Sequence, residues 1–142
     1  KGDVMPAYSQ EQIFDKVRDC FCEALGLDED EVELESSVID DLGAESLDLL
    51  DIVFRLERSF GVKIPRGDLE QQAKDELDGD PYEIDGVLTQ SALDKLRAAM
   101  PEVPASQFKV GLRTKDVPRL FTVETFQNII IRLLDERSAQ AA

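Results

Sequence analysis

Histidine is absent from this 142-residue sequence, and cysteine occurs only twice. Without histidine the chain lacks the commonest general base and the commonest metal ligand, and it cannot build a Ser-His or Cys-His nucleophile pair. Self-contained hydrolytic catalysis is therefore not expected, and neither catalytic residues nor a metal site are assigned. Cys20 and Cys22 stand two positions apart. On a helix their side chains diverge by about 200°, too far to bridge, and unbridged thiols suit a reducing cytoplasm. Basic residues are scarce as well, 16 Lys and Arg against 31 Asp and Glu, giving a formal net charge of −15 at pH 7. Nucleic acid and anionic lipid repel such a chain, which points to partners with basic patches. No apolar run approaches the roughly 20 residues that a membrane span requires, so stable membrane insertion is not expected. Residues 1–6 have neither the apolar centre nor the small-residue cleavage site of a signal peptide. A cytoplasmic monomer is the expectation.

What is present amounts to one domain's length, enough to bury about two thirds of the unfolded surface without disulfide or metal staples. Ser9 followed by Gln12 fits a capping box, and Ile13, Val17, Cys20, Phe21 and Ala24 fall on one stripe ending near Gly26. This predicts a first amphipathic helix with Cys20 in the core and Cys22 as an exposed thiol. From 28 to 43 the periodicity is lost while acidic residues accumulate, interrupted by Val32, Leu34, Val38, Ile39 and Leu42. The pattern reads as a long loop pinned by apolar contacts. Asp28 and Asp30 begin like a calcium loop, but Val32 and Glu33 stand where a third oxygen ligand and the turn glycine belong. Asp78 and Asp80 fail in the same way at Tyr82 and Glu83.

A second helix is predicted over 46–60, with Leu49, Ile52, Val53, Leu56 and Phe60 as its core face. Leu47, Leu50 and Phe54 form a second stripe bordered by Asp48, Asp51, Arg55, Glu57 and Arg58. Either the helix is buried on two sides, or this stripe is a docking strip with a charged rim. Further on, Leu69, Ala73 and Leu77 predict a short helix broken at Gly79, Asp80 and Pro81, and another helix spans 89–100 before Pro101. Pro104, Gly111 and Pro118 allow at most single turns between 103 and 118. A last helix follows Thr122, with Val123, Phe126, Ile130, Leu133 and Leu134 buried and a polar tail from Asp135. Strand alternation is not evident, so the expected fold is all-α. Residues 66–121 are rich in spaced apolar side chains, including Leu93, Leu96, Met100, Val103, Phe108, Val110 and Leu112. Ordering each residue costs about 1 to 2 kcal/mol, which only burial offsets, so this stretch is expected to pack against the other helices.

The approach to the second helix carries the most specific signal. Asp40-Asp41-Leu42-Gly43-Ala44-Glu45-Ser46-Leu47-Asp48 places a serine after a glycine at a helix N-terminus, where taken alone it reads as an N-cap. Together with the acidic-apolar helix and the ending Phe60-Gly61-Val62-Lys63-Ile64-Pro65, this run resembles the acyl carrier proteins. The first helix, acidic loop, second helix and final Thr122-Val123 helix follow in that family's order. The resemblance implies an up-down helical bundle over residues 1–142, in which 66–121 is a helical insertion replacing a short third helix. It also implies a non-enzymatic carrier. A phosphopantetheinyl transferase would attach 4′-phosphopantetheine from coenzyme A to Ser46, and the arm's thiol would carry acyl groups as thioesters, so neither cysteine is needed for that role.

By the same resemblance Asp41, Glu45, Asp48, Asp51 and Glu57 match acidic positions offered to basic patches on modifying and acyl-processing enzymes such as ketosynthases, acyltransferases or acyl ligases. Leu47 and Phe54 match its apolar recognition points. Ile52, Leu56, Phe126 and Ile130 are the expected lining for a sequestered acyl chain. As a group around Ser46 the acids repel one another and gain value when a cationic partner arrives. Three departures stand out. Glu45 replaces the usual aspartate before the serine, Arg55 and Arg58 place positive charge on the second helix and suggest dedicated partners, and the insertion is long. Charge is uneven too, with 17 acidic against 6 basic residues over 1–65 and 14 against 10 over 66–142. The expected setting is fatty acid, lipid or polyketide biosynthesis. The alternatives are a peptidyl carrier, or an acidic helical interaction or calcium-buffering module in which Ser46 is only a cap.

Overall fold

The computed structural model describes residues 8–141; the segment 1–6, read above for leader features, lies outside them. Helix α1, Gln10–Leu25, starts where the capping box predicts. The Ser9 hydroxyl accepts from the Gln12 amide at 3.1 Å and the Gln12 side chain accepts from the Ser9 amide at 2.9 Å. The helix ends on Gly26 in the left-handed region, φ 69°. Ile13, Val17, Cys20 and Phe21 are buried as the stripe requires. Cys22 departs from expectation. It is half-buried against the core, because the last turn of α1 is covered on more than one side.

Residues 28–43 form the pinned loop, with a 3-10 turn at Glu29–Glu31 and with Val32 and Val38 buried. Helix α2, Ser46–Phe60, buries Ile52, Leu56 and Phe60, while Leu49 and Val53 are half-buried at the margin. Helices α1 and α2 pack on one another, and α1 also packs on the last helix, α5, Val123–Ala141. Phe21 meets Phe126 edge to face at a centroid distance of 5.7 Å. Such a pair adds about 0.5 to 1.5 kcal/mol to the burial of two large side chains. Reciprocal bonds between Thr122 and Thr125 cap α5. This helix runs past Asp135 instead of yielding to a polar tail. The Arg137 guanidinium gives the added turns a purpose by donating to the Phe60 and Gly61 carbonyls at the end of α2.

Between Pro65 and Thr122 the chain builds α3 at Asp68–Asp75 and α4 at Gln90–Ala99, packed against each other. Thr89 caps α4, its hydroxyl accepting from the Ala92 amide at 3.2 Å. A short antiparallel hairpin, β1 at Glu83–Ile84 and β2 at Val87–Leu88, is an addition to the helical reading. Its turn is Asp85-Gly86, both at positive φ, the combination a tight hairpin turn demands. The segment Thr114–Leu120 is a 3-10 helix of more than a single turn, contrary to the expectation set by Pro118. Its three-residue repeat puts Val117 and Leu120 on one buried side, and Pro118 is tolerated there.

The buried apolar side chains form one cluster running from α1 and α2 through Leu69, Ala73, Leu93, Leu96 and Met100 to Val123 and Ile130. Residues 66–121 therefore pack instead of hanging loose, although Val110 is 84% exposed. Polar ties reinforce the join. Arg132 of α5 pairs with Asp68, and Glu102 accepts from Thr125 at 2.6 Å and Asn128 at 3.1 Å. The Val38 amide donates to the Phe121 carbonyl at 2.9 Å beside a Ser37–Thr122 bridge.

Candidate functional site

The residues around the start of α2 are held by short local bonds. The Asp41 carboxylate accepts from the Ser37 amide at 2.8 Å, and the Ser37 hydroxyl accepts from the Asp40 amide at 3.2 Å. Gly43 then turns the chain at φ 75°, Ala44 is buried, and Glu45 is extended at φ −105°. Glu45, not Ser46, is the N-cap residue. The Asp48 carboxylate reaches back three positions to accept from the Glu45 amide at 2.9 Å, which fixes the helix start one residue earlier than a capping serine would.

Ser46 is consequently the first helical residue. It is exposed, and its hydroxyl has no hydrogen-bond partner among the described residues. The first intrahelical bond of α2 comes from the Leu49 amide to the Glu45 carbonyl. The amides of residues 46–48 therefore point outward without intrahelical partners, at the positive end of the helix dipole. A phosphodiester on the Ser46 oxygen would meet those amides, so the site fits a phosphorylated arm. With no base hydrogen-bonded to it among the described residues, the serine is not activated as a nucleophile.

The expected recognition residues are spread along α2 and the loop before it. Glu45, Leu47 and Asp48 lie with Ser46 on the first turn, and Asp41 lies in the loop below. Asp51 and Phe54 follow further along, and Glu57 is about 16 Å down the axis from Ser46 at 1.5 Å per residue. Leu47 is 79% exposed and Phe54 49%, so the second stripe is a surface and not a second buried side. Asp51 pairs with Arg55 at 3.1 Å, and Arg55 also reaches Glu23 of α1 at 3.1 Å. The Arg55 charge thus ties α2 to α1. The Glu57 carboxylate accepts from the Ile64 amide at 2.7 Å and shapes the chain leaving α2.

Ile52, Leu56, Phe126 and Ile130 are all buried in the central cluster. None of them lines either of two open surface clefts. One, of about 370 Å³, lies between α1 and α2 beside Cys20. The other, of about 640 Å³, lies between the loop before α2 and residues 107–120. Burial and the nearby Glu23 carboxylate push the Cys20 thiol up to about 11, and burial raises Cys22 as well. Neither is a thiolate at neutral pH. Arg119, which donates to Asp40 at 2.9 Å across the larger cleft, was not singled out by sequence pattern. The concentration of Lys109, Arg113, Lys115 and Arg119 in an otherwise acidic chain is the signal that marks this region. Among the described residues, no group of three or more His, Cys, Asp or Glu side chains is placed to hold a metal ion, and no helix is long and apolar enough to cross a membrane.

An exposed, unactivated hydroxyl at the start of α2 fits a protein whose chemistry is attached to it rather than built from its own side chains. The family model for the phosphopantetheine attachment site matches residues 15–74. The acyl carrier protein of Thermotoga maritima is 52% identical over 63 residues, covering 44% of this chain and 78% of that protein. That of Campylobacter lari is 48% identical over 62 residues, 44% of this chain and 80% of its own length. The acyl carrier protein AcpXL of Brucella melitensis is 48% identical over 66 residues, 46% of this chain and 68% of its own length. The chain belongs to the acyl carrier protein family. It is a non-catalytic carrier with a phosphopantetheine attachment site, and membership implies a phosphopantetheinyl transferase and acyl-processing enzymes as partners. The family model's match ends at residue 74, inside α3, so the hairpin, α4 and α5 lie beyond it.

Proposed function

We propose that Ser46 carries the 4′-phosphopantetheine arm and that the protein presents acyl thioesters to enzymes of fatty acid, lipid or polyketide biosynthesis in the cytoplasm. The observation that carries this reading is the exposed, unpartnered Ser46 hydroxyl beside the free amides of the first turn of α2. The arm supplies the thiol on which acyl groups are held. The chain's own residues orient it: the first-turn amides favour the phosphodiester, and Asp48 fixes the helix start that aims them. In this reading residues 1–142 are one acyl-carrier domain and 66–121 is an insertion in place of a short third helix.

Partners with basic patches read Asp41, Glu45, Asp48, Asp51 and Glu57 around the apolar contacts Leu47 and Phe54. An apolar acyl chain, when sequestered, parts α2 from α5 near Ile52, Leu56, Phe126 and Ile130. The test is treatment with coenzyme A and a broad-specificity phosphopantetheinyl transferase, followed by intact mass and peptide mapping. A single arm on Ser46 is expected, and an arm on another serine or none at all overturns the assignment.

A further inference from the structure

The larger cleft faces the loop that leads to Ser46, and its walls differ in character from the rest of this acidic chain. Lys109, Arg113 and Arg119 line it from one side. Two carboxylates also line it, but Asp40 is already paired with Arg119, which leaves Asp116 against Lys109 and Arg113. Neither Lys109 nor Arg113 has a carboxylate within ion-pair distance among the described residues. Between the charges lie Leu112, Leu120 and the exposed Val110. The cleft therefore sets three apolar side chains among three cations and two carboxylates, one of them already paired, and its volume of about 640 Å³ falls in the range of small-molecule sites. Its frame is fixed by backbone: the Leu88 amide donates to the Leu112 carbonyl and the Thr114 amide to the Gly86 carbonyl, both at 3.0 Å.

An anionic group free in solution would be repelled by a chain of net charge −15. A group tethered to the same chain does not face that barrier, because tethering replaces bulk concentration by a high effective concentration. The Arg119–Asp40 pair sets the cleft against the loop only six positions before Ser46. A cargo ending in a carboxylate also cannot follow the apolar route between α2 and α5, where every named side chain is apolar and the charge would be stripped of water.

Resting on the proposed attachment at Ser46, we propose that the cleft holds the far end of an acyl cargo bearing a terminal carboxylate, a dicarboxylic monothioester. The methylene stem lies on Leu112, Leu120 and Val110, and the carboxylate is met by Lys109 and Arg113. The insertion thereby selects the class of cargo.

The experiment loads the full chain from coenzyme A, adipyl-coenzyme A and hexanoyl-coenzyme A with a broad-specificity transferase, using intact mass to verify each arm. Amide chemical shifts and thioester half-life are then measured. The adipyl form is expected to shift amides across 107–120 and to lose its thioester several-fold more slowly than the hexanoyl form. Both effects should vanish in Lys109→Gln/Arg113→Gln, which still takes up the arm, and should shrink with salt. Equal shifts and half-lives for the adipyl and hexanoyl forms overturn the proposal while leaving Ser46 attachment intact. So does an equal response of 107–120 to the unacylated arm, which would place the arm's phosphate in the cleft instead. Absence of any mass gain at Ser46 overturns attachment first, and this inference with it.

Discussion

The acidic face of α2 and the basic stretch 109–119 are opposites in more than sign. On and around α2 the carboxylates are put to local use: Asp41 holds the Ser37 amide, Asp48 the Glu45 amide, Asp51 the Arg55 guanidinium and Glu57 the Ile64 amide. Within 109–119 the side chains of Lys109, Arg113 and Lys115 make no ion pair among the described residues, and only Arg119 does. A count of charges thus overstates what the acidic face has to offer and understates what the stretch 109–119 offers. Carboxylates that build a helix start or a loop still carry charge to a partner, but removing them has a structural cost as well.

Substitutions can take that contrast apart, and the largest effect concerns Ser46. Ser46→Ala should abolish arm attachment completely by mass spectrometry. Because Ser46 is the first helical residue and not the cap, it should alter stability by less than about 0.5 kcal/mol in denaturant melts. Loss of a cap would instead cost about 1 kcal/mol.

Next come the two parts of the core. Leu56→Ala in α2 and Leu96→Ala in α4 should each cost about 2 to 5 kcal/mol, since both side chains are fully buried. If the regions share one cooperative core, each variant melts in a single transition whether followed by helix content or by a probe placed in the other region. Separate transitions would show that 66–121 folds apart from the bundle.

The charged face follows. Asp48→Lys should slow arm transfer by about tenfold at low salt and by less at high salt, the salt-dependent part reporting association and the remainder the lost bond to the Glu45 amide. Glu57→Ala should slow transfer less, at a greater distance from Ser46, while destabilising the fold by about 1 to 2 kcal/mol through the lost Ile64 bond. Salt-independent rates for both variants would leave recognition to the Leu47, Leu50 and Phe54 strip.

The smallest effect lies at Glu124, whose carboxyl is raised above its ordinary value by burial and by the neighbouring Glu102 and Glu35. A carboxyl raised in the folded state holds its proton more tightly there than in the unfolded chain, so its ionisation weakens the fold as pH rises through the folded pKa. Glu124→Gln should therefore raise the melting temperature slightly at neutral pH and have no such effect well below the ordinary glutamate range. A gain that persists in acid would assign the effect to something other than ionisation.

Much of this architecture is legible along the chain where local chemistry decides the outcome. Ser9 with Gln12, Thr89 and Thr122 announce helix starts, and the Ile13, Val17, Phe21 stripe announces a buried face. The hairpin was legible too. Asp85-Gly86 flanked by Ile84 and Val87 is a turn signal, although strands of two residues are too short to show alternation. The N-cap is less legible, because a serine competes with Glu45 for that position and the outcome turns on Asp48 reaching back to the Glu45 amide. Other features have no local signature at all. Arg119 and Asp40 are far apart in sequence and meet only through the fold, as do Glu102 and Thr125.

The Ser37–Thr122 bridge also bears on how the chain reaches this state. Closing it directly would span a long stretch of unfolded chain before any contact repaid the lost entropy. Residues 66–121 are rich in near-neighbour contacts, with the Glu83–Leu88 hairpin and the α3–α4 pair formed over short separations. Once these form, the ends of the segment are brought near and the closing step becomes short. Substituting Asp85-Gly86 to spoil the turn should therefore slow folding more than it speeds unfolding, although that turn lies far along the chain from Ser46.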